Sequence, residues 1–425
     1  TTLFAITSLF AGSLADKYNR KYLTIGSTLV WSLATYTTSI ASTYEEIVIS
    51  RVVMGLACAF TTPCAYTLLK DSISNSKLSF ANSLYGSGVY FGGGLSSLSI
   101  LLDDNFGWRS TCGIIGGYGL VMAVLTTLIL PNDPKQLQLQ PNEGKSTSTT
   151  FAKEKEKNDP IDGDSSSNAL VTDVQQIVSS SKRIQWLFLG SFLRFCSGLC
   201  IGVWAAPYYK LAFPNDASSY AVINAAIVGL CGVSSGLLGG YISDKSIGLV
   251  SSSSTSSSSS SSSISNGESS SLSFPISFST MDEDGARLIV PIVGSLLAVP
   301  TWWLTSHAST FDAAMFWLGT EYLVAECWFG PTVAVLQNGV RKGQGGVAQG
   351  LFTLTGAIGN LAPSLLGIIY SRQIADDVAT VSGSGSEVLS TLLGVGVCGG
   401  YLLSALCFSL SALSSPSSKV ASKTS

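Results

Sequence analysis

The stretch GSLADKYNRKY, residues 12–22, places four charged side chains between two apolar segments. The charges are Asp16, Lys17, Arg20 and Lys21, and the flanking segments are TTLFAITSLFA and LTIGSTLVWSLATYTTSIA. Because about 20 apolar residues suffice to cross a bilayer, the stretch is predicted to be a short loop between two membrane spans. Loops rich in Lys and Arg lie preferentially on the cytoplasmic side, so we expect this loop there.

The composition of the whole chain favours a membrane protein. Of the 425 residues, 46% are hydrophobic and 12% are charged, whereas soluble globular proteins carry about 25% charged residues. Most of the nine cysteines lie in apolar runs without C-x-x-C spacing, which indicates packing residues rather than a disulfide framework. The single histidine and the net charge of −3 favour neither a metal site nor nucleic-acid binding, and we expect no cofactor.

Eleven apolar segments predict eleven membrane-spanning helices, because a helix satisfies its own backbone hydrogen bonds as lipid requires. The segments are approximately 1–15, 22–42, 46–69, 80–102, 110–130, 185–206, 219–243, 288–307, 311–336, 346–370 and 389–413. They form an N-terminal half, 1–130, and a C-terminal half, 185–413, joined by 131–184, whose composition predicts a disordered cytoplasmic linker. A serine-rich insert lies in a predicted cytoplasmic loop, 246–286, and 414–425 is a predicted cytoplasmic tail.

An internal repeat relates the two halves. Three pairs of segments match in the same order: FAGSLADK (10–17) with LGGYISDK (238–245), 43–63 with 310–331, and FANSLY (80–85) with VAQGLF (347–352). The first match has an offset of 228 and the third an offset of 267, and the serine-rich insert accounts for the difference. Paired repeats around a midplane site are typical of secondary transporters.

These motifs resemble those of the major facilitator superfamily. GSLADKYNRK resembles its glycine–aspartate–basic signature, GGYISDK the second copy, RVVMG (51–55) its arginine–glycine motif, and NFGWRS (105–110) a short outer link. The resemblance implies an all-α polytopic membrane protein of two pseudo-symmetric six-helix halves. It also implies that eleven of the twelve helices are present and that the first is missing, as a start at Thr1 inside an apolar segment suggests.

The resemblance assigns a conformational latch to the opening stretch. Gly12 lets its helix approach a neighbour, and Asp16 meets a helix N-terminus near Gly346, where unpaired N–H groups favour an anion. Arg20 then bridges Asp16 to Asp71, and Asp244 is the counterpart of Asp16 in the second half. For the lysines of the stretch, ordinary positive-inside anchoring is the alternative.

Four ionisable residues lie inside predicted spans, where their cost makes them functional candidates for substrate or proton coupling. Arg194 is near the middle of one span, and Glu321 and Glu326 lie five residues apart in another, about 140° apart around the helix. Glu326 opposite Arg194 is a candidate proton or substrate-anion switch, and a static ion pair is the alternative. Arg51 is a candidate for an anionic substrate, or it snorkels toward Glu45 or Glu46.

Aromatic and amide side chains supply a candidate cavity lining for an apolar or lipid-like solute, with packing as the alternative. The candidates are Tyr85, Trp204, Trp317, Trp328 and Asn360. Within the superfamily, the spacing from Arg51 to Asp71 and the segment 83–98 resemble the spinster-type lipid transporters. That group has a glutamate where this chain has Cys58, a departure that puts coupling in doubt.

The sequence therefore predicts a secondary or facilitative transporter that moves a small organic or lipid-like solute by rocker-switch alternating access, with or without protons. Its expected partners are an organic or amphipathic substrate and membrane lipids, and we expect a monomer. Two alternatives stay open, namely xenobiotic efflux and a transporter-like receptor that moves nothing. Because the sequence has no nucleophile–base–metal cluster and no P-loop, we expect no enzymatic activity.

Overall fold

The computed structural model describes residues 2–130, 133, 163–257, 281–380 and 385–414. Their regular structure is helical throughout, which confirms the all-α prediction. In chain order the helices are α1 Thr2–Lys17, α2 Arg20–Ile40, α3 Tyr44–Cys58, α4 Thr61–Ser72, α5 Leu78–Ile129, α6 Gly163–Ser179, α7 Lys182–Ala212, α8 Ala217–Ala226, α9 Val233–Ser257, α10 Glu283–Arg287, α11 Ile289–Ser306, α12 Phe311–Ala325, α13 Phe329–Gly339, α14 Gly345–Gly359, α15 Leu361–Thr380 and α16 Gly385–Leu413.

The chain forms two compact units. The first consists of Thr1–Ser72, Cys112–Val178 and Lys342–Leu351, and the second of Ile73–Thr111, Ser179–Arg341 and Phe352–Ser425. Each unit therefore includes one segment from the other sequence half. Seven helical stretches are long and apolar enough to cross a membrane, within the described part of the chain: 44–72, 105–129, 182–212, 219–248, 283–306, 345–375 and 385–413.

Polar caps start several of these helices where the sequence changes from polar to apolar. The Asn19 side chain accepts hydrogen bonds from the amides of Lys21 and Tyr22, and it opens α2 two residues after α1 ends. Thr43 and Glu46 form a capping box at the start of α3. Each cap satisfies amides that a helix leaves unpaired at its first turn, so the short loops between helices are defined locally.

Several predicted spans are interrupted helices. The predicted spans 80–102 and 110–130 both lie in α5, which is kinked between them at Gly107, where φ is 76°. A π-helical turn, Ile227–Gly232, separates α8 from α9, and a 3₁₀ turn, Glu326–Trp328, separates α12 from α13. The chain also breaks at Asn360, between α14 and α15. Such irregular turns free backbone groups inside an apolar segment and often mark functional sites.

The structure differs from the predicted disordered linker over its last third, since Gly163–Ser179 is the helix α6. Leu170 and Ile177 on this helix are buried. The side-chain amide of Gln344 donates to Asp173 at 2.9 Å and to Gln176 at 3.2 Å. Apolar residues spaced seven apart share one helix face, and this pattern was obscured by the polar residues around it. The linker residues 131–132 and 134–162, most of the serine-rich insert (258–280) and the tail 415–425 lie outside the described residues.

In the second unit, α11 packs closely against the end of α12 and the turn that follows it, because Gly294 has no side chain. A Cβ added to Gly294 would lie 2.7 Å from the carbonyl oxygen of Val324 and would overlap the Cys327 sulfur. Nearby, the Trp302 indole N–H donates to the carbonyl of Leu393 at 3.0 Å, so this large side chain is both buried and paired. The backbone approach at Gly294 therefore cannot accommodate even a methyl group.

We expect Gly294→Ala to lower the stability of the protein by about 1–3 kcal/mol, because the extra carbon overpacks a site bounded by backbone. Thermal unfolding in detergent, followed by tryptophan fluorescence, measures the effect. Gly399→Ala is the matched control, since a Cβ at Gly399 meets nothing within 4 Å. Equal melting temperatures for the two variants would refute the overpacking argument.

Candidate functional site

A carboxylate contact with a helix N-terminus, here called the first helix-end contact, is built from the opening stretch. Asp16, one residue before the end of α1, accepts hydrogen bonds from the amides of Gly346 (2.8 Å) and Val347 (3.0 Å) at the start of α14. A Cβ on Gly12 would overlap the carbonyl of Gly346, so only glycine permits this approach. The first amides of a helix have no partner within the helix and favour negative charge, so the contact supplies what α14 lacks.

Arg20 connects two further carboxylates beside this contact. Its side chain is buried and lies 2.7 Å from Asp71 and 2.6 Å from Asp133, and its backbone amide donates to Asp133 at 3.0 Å. Burial by itself lowers the pKa of Arg20, but hydrogen bonds to Asp133 and Asp71 outweigh it and the pKa lies above its usual value. Arg20 therefore stays charged and joins α2, α4 and the segment after α5.

Asp244 makes a second helix-end contact of the same kind in the second unit. Its carboxylate accepts from the amides of Ser79 (3.1 Å) and Phe80 (2.8 Å) at the start of α5. A Cβ on Gly240 would lie 2.8 Å from the Phe80 backbone, which matches the close approach at Gly12. The Arg287 guanidinium lies 3.7 Å from Asp244.

The two helix-end contacts are related by the sequence repeat. The offset of 228 carries Asp16 onto Asp244, and the offset of 267 carries Ser79 and Phe80 onto Gly346 and Val347. Each half of the sequence therefore supplies one acceptor and one helix N-terminus.

A cluster of buried charges lies around the 3₁₀ turn between α12 and α13. Arg194 of α7 donates to the carbonyl of Ala325 at 2.9 Å and to the Glu326 carboxylate at 3.2 Å. Ala325 is the last residue of α12, and the C-terminal end of a helix favours a cation. The Arg194 side chain is 1% exposed and that of Glu326 is 13% exposed, so Glu326 is the less buried member of the pair.

Two tyrosines complete this cluster. The Tyr90 hydroxyl of α5 donates to the second oxygen of Glu326, and the Tyr401 hydroxyl of α16 donates to Glu321. The Arg194 guanidinium lies 4.6 Å from the Tyr401 ring centre and 5.6 Å from that of Trp328, within cation–π range. The guanidinium Nε of Arg194 and one oxygen of Glu321 have no hydrogen-bond partner among the described residues. Glu321 and Glu326 thus each accept from a tyrosine of a different helix, and Arg194 lies near both.

Of the other candidates, Trp328 lies beside Arg194, and the rest have other surroundings. Arg51 is exposed on α3 and contacts the Met54 sulfur at 3.8 Å. Trp204 donates to the carbonyl of Pro363 at 2.9 Å and packs on Tyr370. Trp328 is buried against aromatic side chains beside Arg194. Tyr85 and Asn360 are exposed, and Trp317 is partly buried against Phe316.

Sequence reasoning missed Asp133, Tyr90 and Tyr401. A carboxylate just beyond an apolar span, as in PND (131–133), is a signal that would have identified Asp133. The tyrosines carry no comparable signal, because aromatic residues are common throughout the apolar spans.

In a comparison with known families, the model of the Major Facilitator Superfamily matches residues 1–363. The chain belongs to the Major Facilitator Superfamily. The chain is 32% identical to the inner membrane transport protein YnfM of Escherichia coli over 132 residues, which cover 31% of this chain and 32% of that protein. It is 24% identical to the probable sulfoacetate transporter SauU of Cupriavidus necator over 246 residues, covering 57% and 54%.

A solved structure shares the fold of this superfamily member. It is an inward-facing, unoccupied bacterial homologue of the human lysosomal transporter Spinster, with TM-score 0.52 and 15% identity, covering 96% of this chain and 85% of that one. The chain spans about a third of the length of the first curated relatives it matches. Family membership and the seven apolar helices make it an integral, multi-pass membrane protein. Its relatives carry the names of transporters rather than of enzymes.

We expect Asp133→Asn to destabilise the protein by about 3 kcal/mol, because it removes the charge of a buried partner of Arg20. Asp71→Asn is the matched comparison and should cost about 1 kcal/mol or less, since the Asp71 side chain is 40% exposed and that of Asp133 is 0% exposed. Thermal unfolding of both variants in detergent tests this order. A larger loss for Asp71→Asn would contradict the burial argument.

Proposed function

We propose that this protein is a secondary transporter that moves a small organic solute across the membrane by alternating access. The reciprocal pair of helix-end contacts is the observation that carries the proposal. Asp16 belongs to the first sequence half and Gly346 to the second, while Asp244 belongs to the second half and Ser79 to the first. Both contacts therefore join the halves at residues that the charge distribution assigns to the cytoplasmic side.

The two helix-end contacts can form and separate during a transport cycle. Each consists of two charge-assisted hydrogen bonds and a close glycine approach, so it is strong enough to hold one state. Water can satisfy both the carboxylate and the helix amides when the contact separates, so opening leaves no buried group without a partner. In the proposed cycle, the contacts hold the cytoplasmic side closed and favour the outward-open state.

The proposed solute is an organic anion. A buried guanidinium beside aromatic rings supplies a charge for an acidic group and an apolar surface for the remainder of a molecule. The name of the sulfoacetate relative supports the same class. A lipid-like solute and xenobiotic efflux, both predicted from the sequence, stay predictions that a substrate panel in liposomes can separate.

We expect Asp16→Asn to open the first helix-end contact, because an amide keeps an acceptor oxygen but loses the charge that the helix end favours. Ser8→Cys is a reporter of opening, since Ser8 is fully buried against Gly350 on the next turns of α1 and α14. In a chain free of other reactive cysteines, a water-soluble maleimide should label this reporter on the order of tenfold faster with Asp16→Asn.

Asp103→Asn, at an exposed aspartate, is the control and should leave labelling unchanged. Equal labelling in the Asp16 and Asp103 variants would argue against the latch. Solute uptake by the same proteins in liposomes separates a transporter from a transporter-like receptor, which would bind without accumulating solute.

A further inference from the structure

Asn75, in the link between α4 and α5, bonds three residues of the second sequence half. Its side-chain amide donates to the Glu283 carboxylate at 3.2 Å, and its side-chain oxygen accepts from the Asn338 amide at 3.0 Å. Its backbone carbonyl accepts from the buried Arg287 guanidinium. We call this group of hydrogen bonds the Asn75 clasp. It lies four residues before Ser79, whose amide takes part in the second helix-end contact.

The clasp follows from a difference between the two repeats. The offset of 267 carries Arg20 onto Arg287. The same offset carries Asp71 onto Asn338. Arg20 pairs with Asp71 and Asp133, so its guanidinium does not depend on the second half for acceptors. Because an uncharged amide stands where Arg20 has a carboxylate, Arg287 needs an acceptor from elsewhere.

Arg287 obtains that acceptor from the first half. Its side chain is 0% exposed, and its Nε and one terminal nitrogen have no hydrogen-bond partner among the described residues. Asn338 does not take the place of an acid, because its amide donates to Asp284 at 2.7 Å as well as to Asn75. A buried guanidinium that lacks acceptors is costly. Separating Asn75 from Arg287 therefore costs more than separating two groups that water already reaches.

At the corresponding position of the first helix-end contact, the described residues form no such clasp. The offset carries Asn75 onto Lys342, whose side chain is exposed. A lysine side chain has no acceptor atom, so it cannot accept from an amide while it donates to a carboxylate. Gln344, in the same link, instead bonds Asp173 and Gln176 of the linker helix α6. The bonds that cross between the sequence halves are therefore unequal at the two contacts.

Resting on the proposed transport function, we propose that the Asn75 clasp sets the order in which the two helix-end contacts open, the first before the second. Opening the first contact separates Asp16 from two amides, and water can satisfy each of these groups. Opening the second contact separates Asp244 from two amides and also breaks the three bonds of Asn75. The cycle therefore passes through an intermediate in which the start of α14 is free and the start of α5 is still bound.

Hydrogen exchange of the purified full chain in lipid nanodiscs tests this order, because the protection of each helix start reports how often its contact opens. Protection is expressed relative to an unstructured peptide of the same sequence. In the unmodified chain, we expect the amides of Ser79 and Phe80 to be protected about tenfold or more above those of Gly346 and Val347. Asn75→Ala removes both side-chain bonds of the clasp and should lower the protection at the start of α5 by about tenfold.

Two control variants separate the clasp from a general loosening of the links. Ser76→Ala changes an exposed neighbour of Asn75, whose hydroxyl lies 3.2 Å from that of Ser74, and should leave both helix starts unchanged. Lys342→Ala changes the counterpart of Asn75 in the repeat and should leave the start of α14 unchanged. In Asn75→Ala, the start of α14 should keep the protection that it has in the unmodified chain.

Equal protection of the two helix starts in the unmodified chain would overturn the proposal, as would better protection of α14. Unchanged protection of α5 in Asn75→Ala would overturn it as well. Solute accumulation in liposomes tests transport separately, since accumulation does not depend on which contact opens first. Uptake without the expected order would refute the clasp and leave the transport proposal standing, whereas the expected order without uptake would refute transport alone.

Discussion

The unpaired amides at the start of a helix are the physical constraint on which the structure of this chain depends. Such amides have no partner within their own helix, and those of α5 and α14 both receive an acceptor from an aspartate of another helix. Glycine at positions 12 and 240 lets the backbones approach closely enough for these bonds. The two compact units follow the same contacts, since each unit contains the helix start that its aspartate binds.

At the buried charge cluster the signs are reversed, because the C-terminal end of a helix favours a cation where the N-terminal end favours an anion. Ala325 is the last residue of α12, and its carbonyl accepts a hydrogen bond from Arg194. Removing a guanidinium from water is costly, so it needs a carboxylate as well as a carbonyl, and Glu326 provides it. The buried charges therefore meet where α12 ends.

The sequence predicted the features that repeat or carry charge. It did not predict the contacts that depend on three-dimensional packing. The repeat identified Asp244 as the counterpart of Asp16, and the cost of buried charge singled out Arg194 and Glu326. The roles of these residues remain predictions. Asp133 and Tyr401 were missed because their partners are far away in the chain. The helix α6 was missed because its two buried residues, Leu170 and Ile177, lie in a polar linker.

Hydrogen exchange at the two helix starts tests whether the aspartates hold the first amides of α5 and α14. The first amides of a helix normally exchange fast, so protection at Gly346 and Val347, or at Ser79 and Phe80, reports the carboxylate bond itself. The measurement compares the full chain with Asp16→Asn and Asp244→Asn in nanodiscs. Asp16→Asn should speed exchange at Gly346 and Val347, and Asp244→Asn should do so at Ser79 and Phe80. Unchanged protection in both variants would show that the helix starts do not depend on these aspartates.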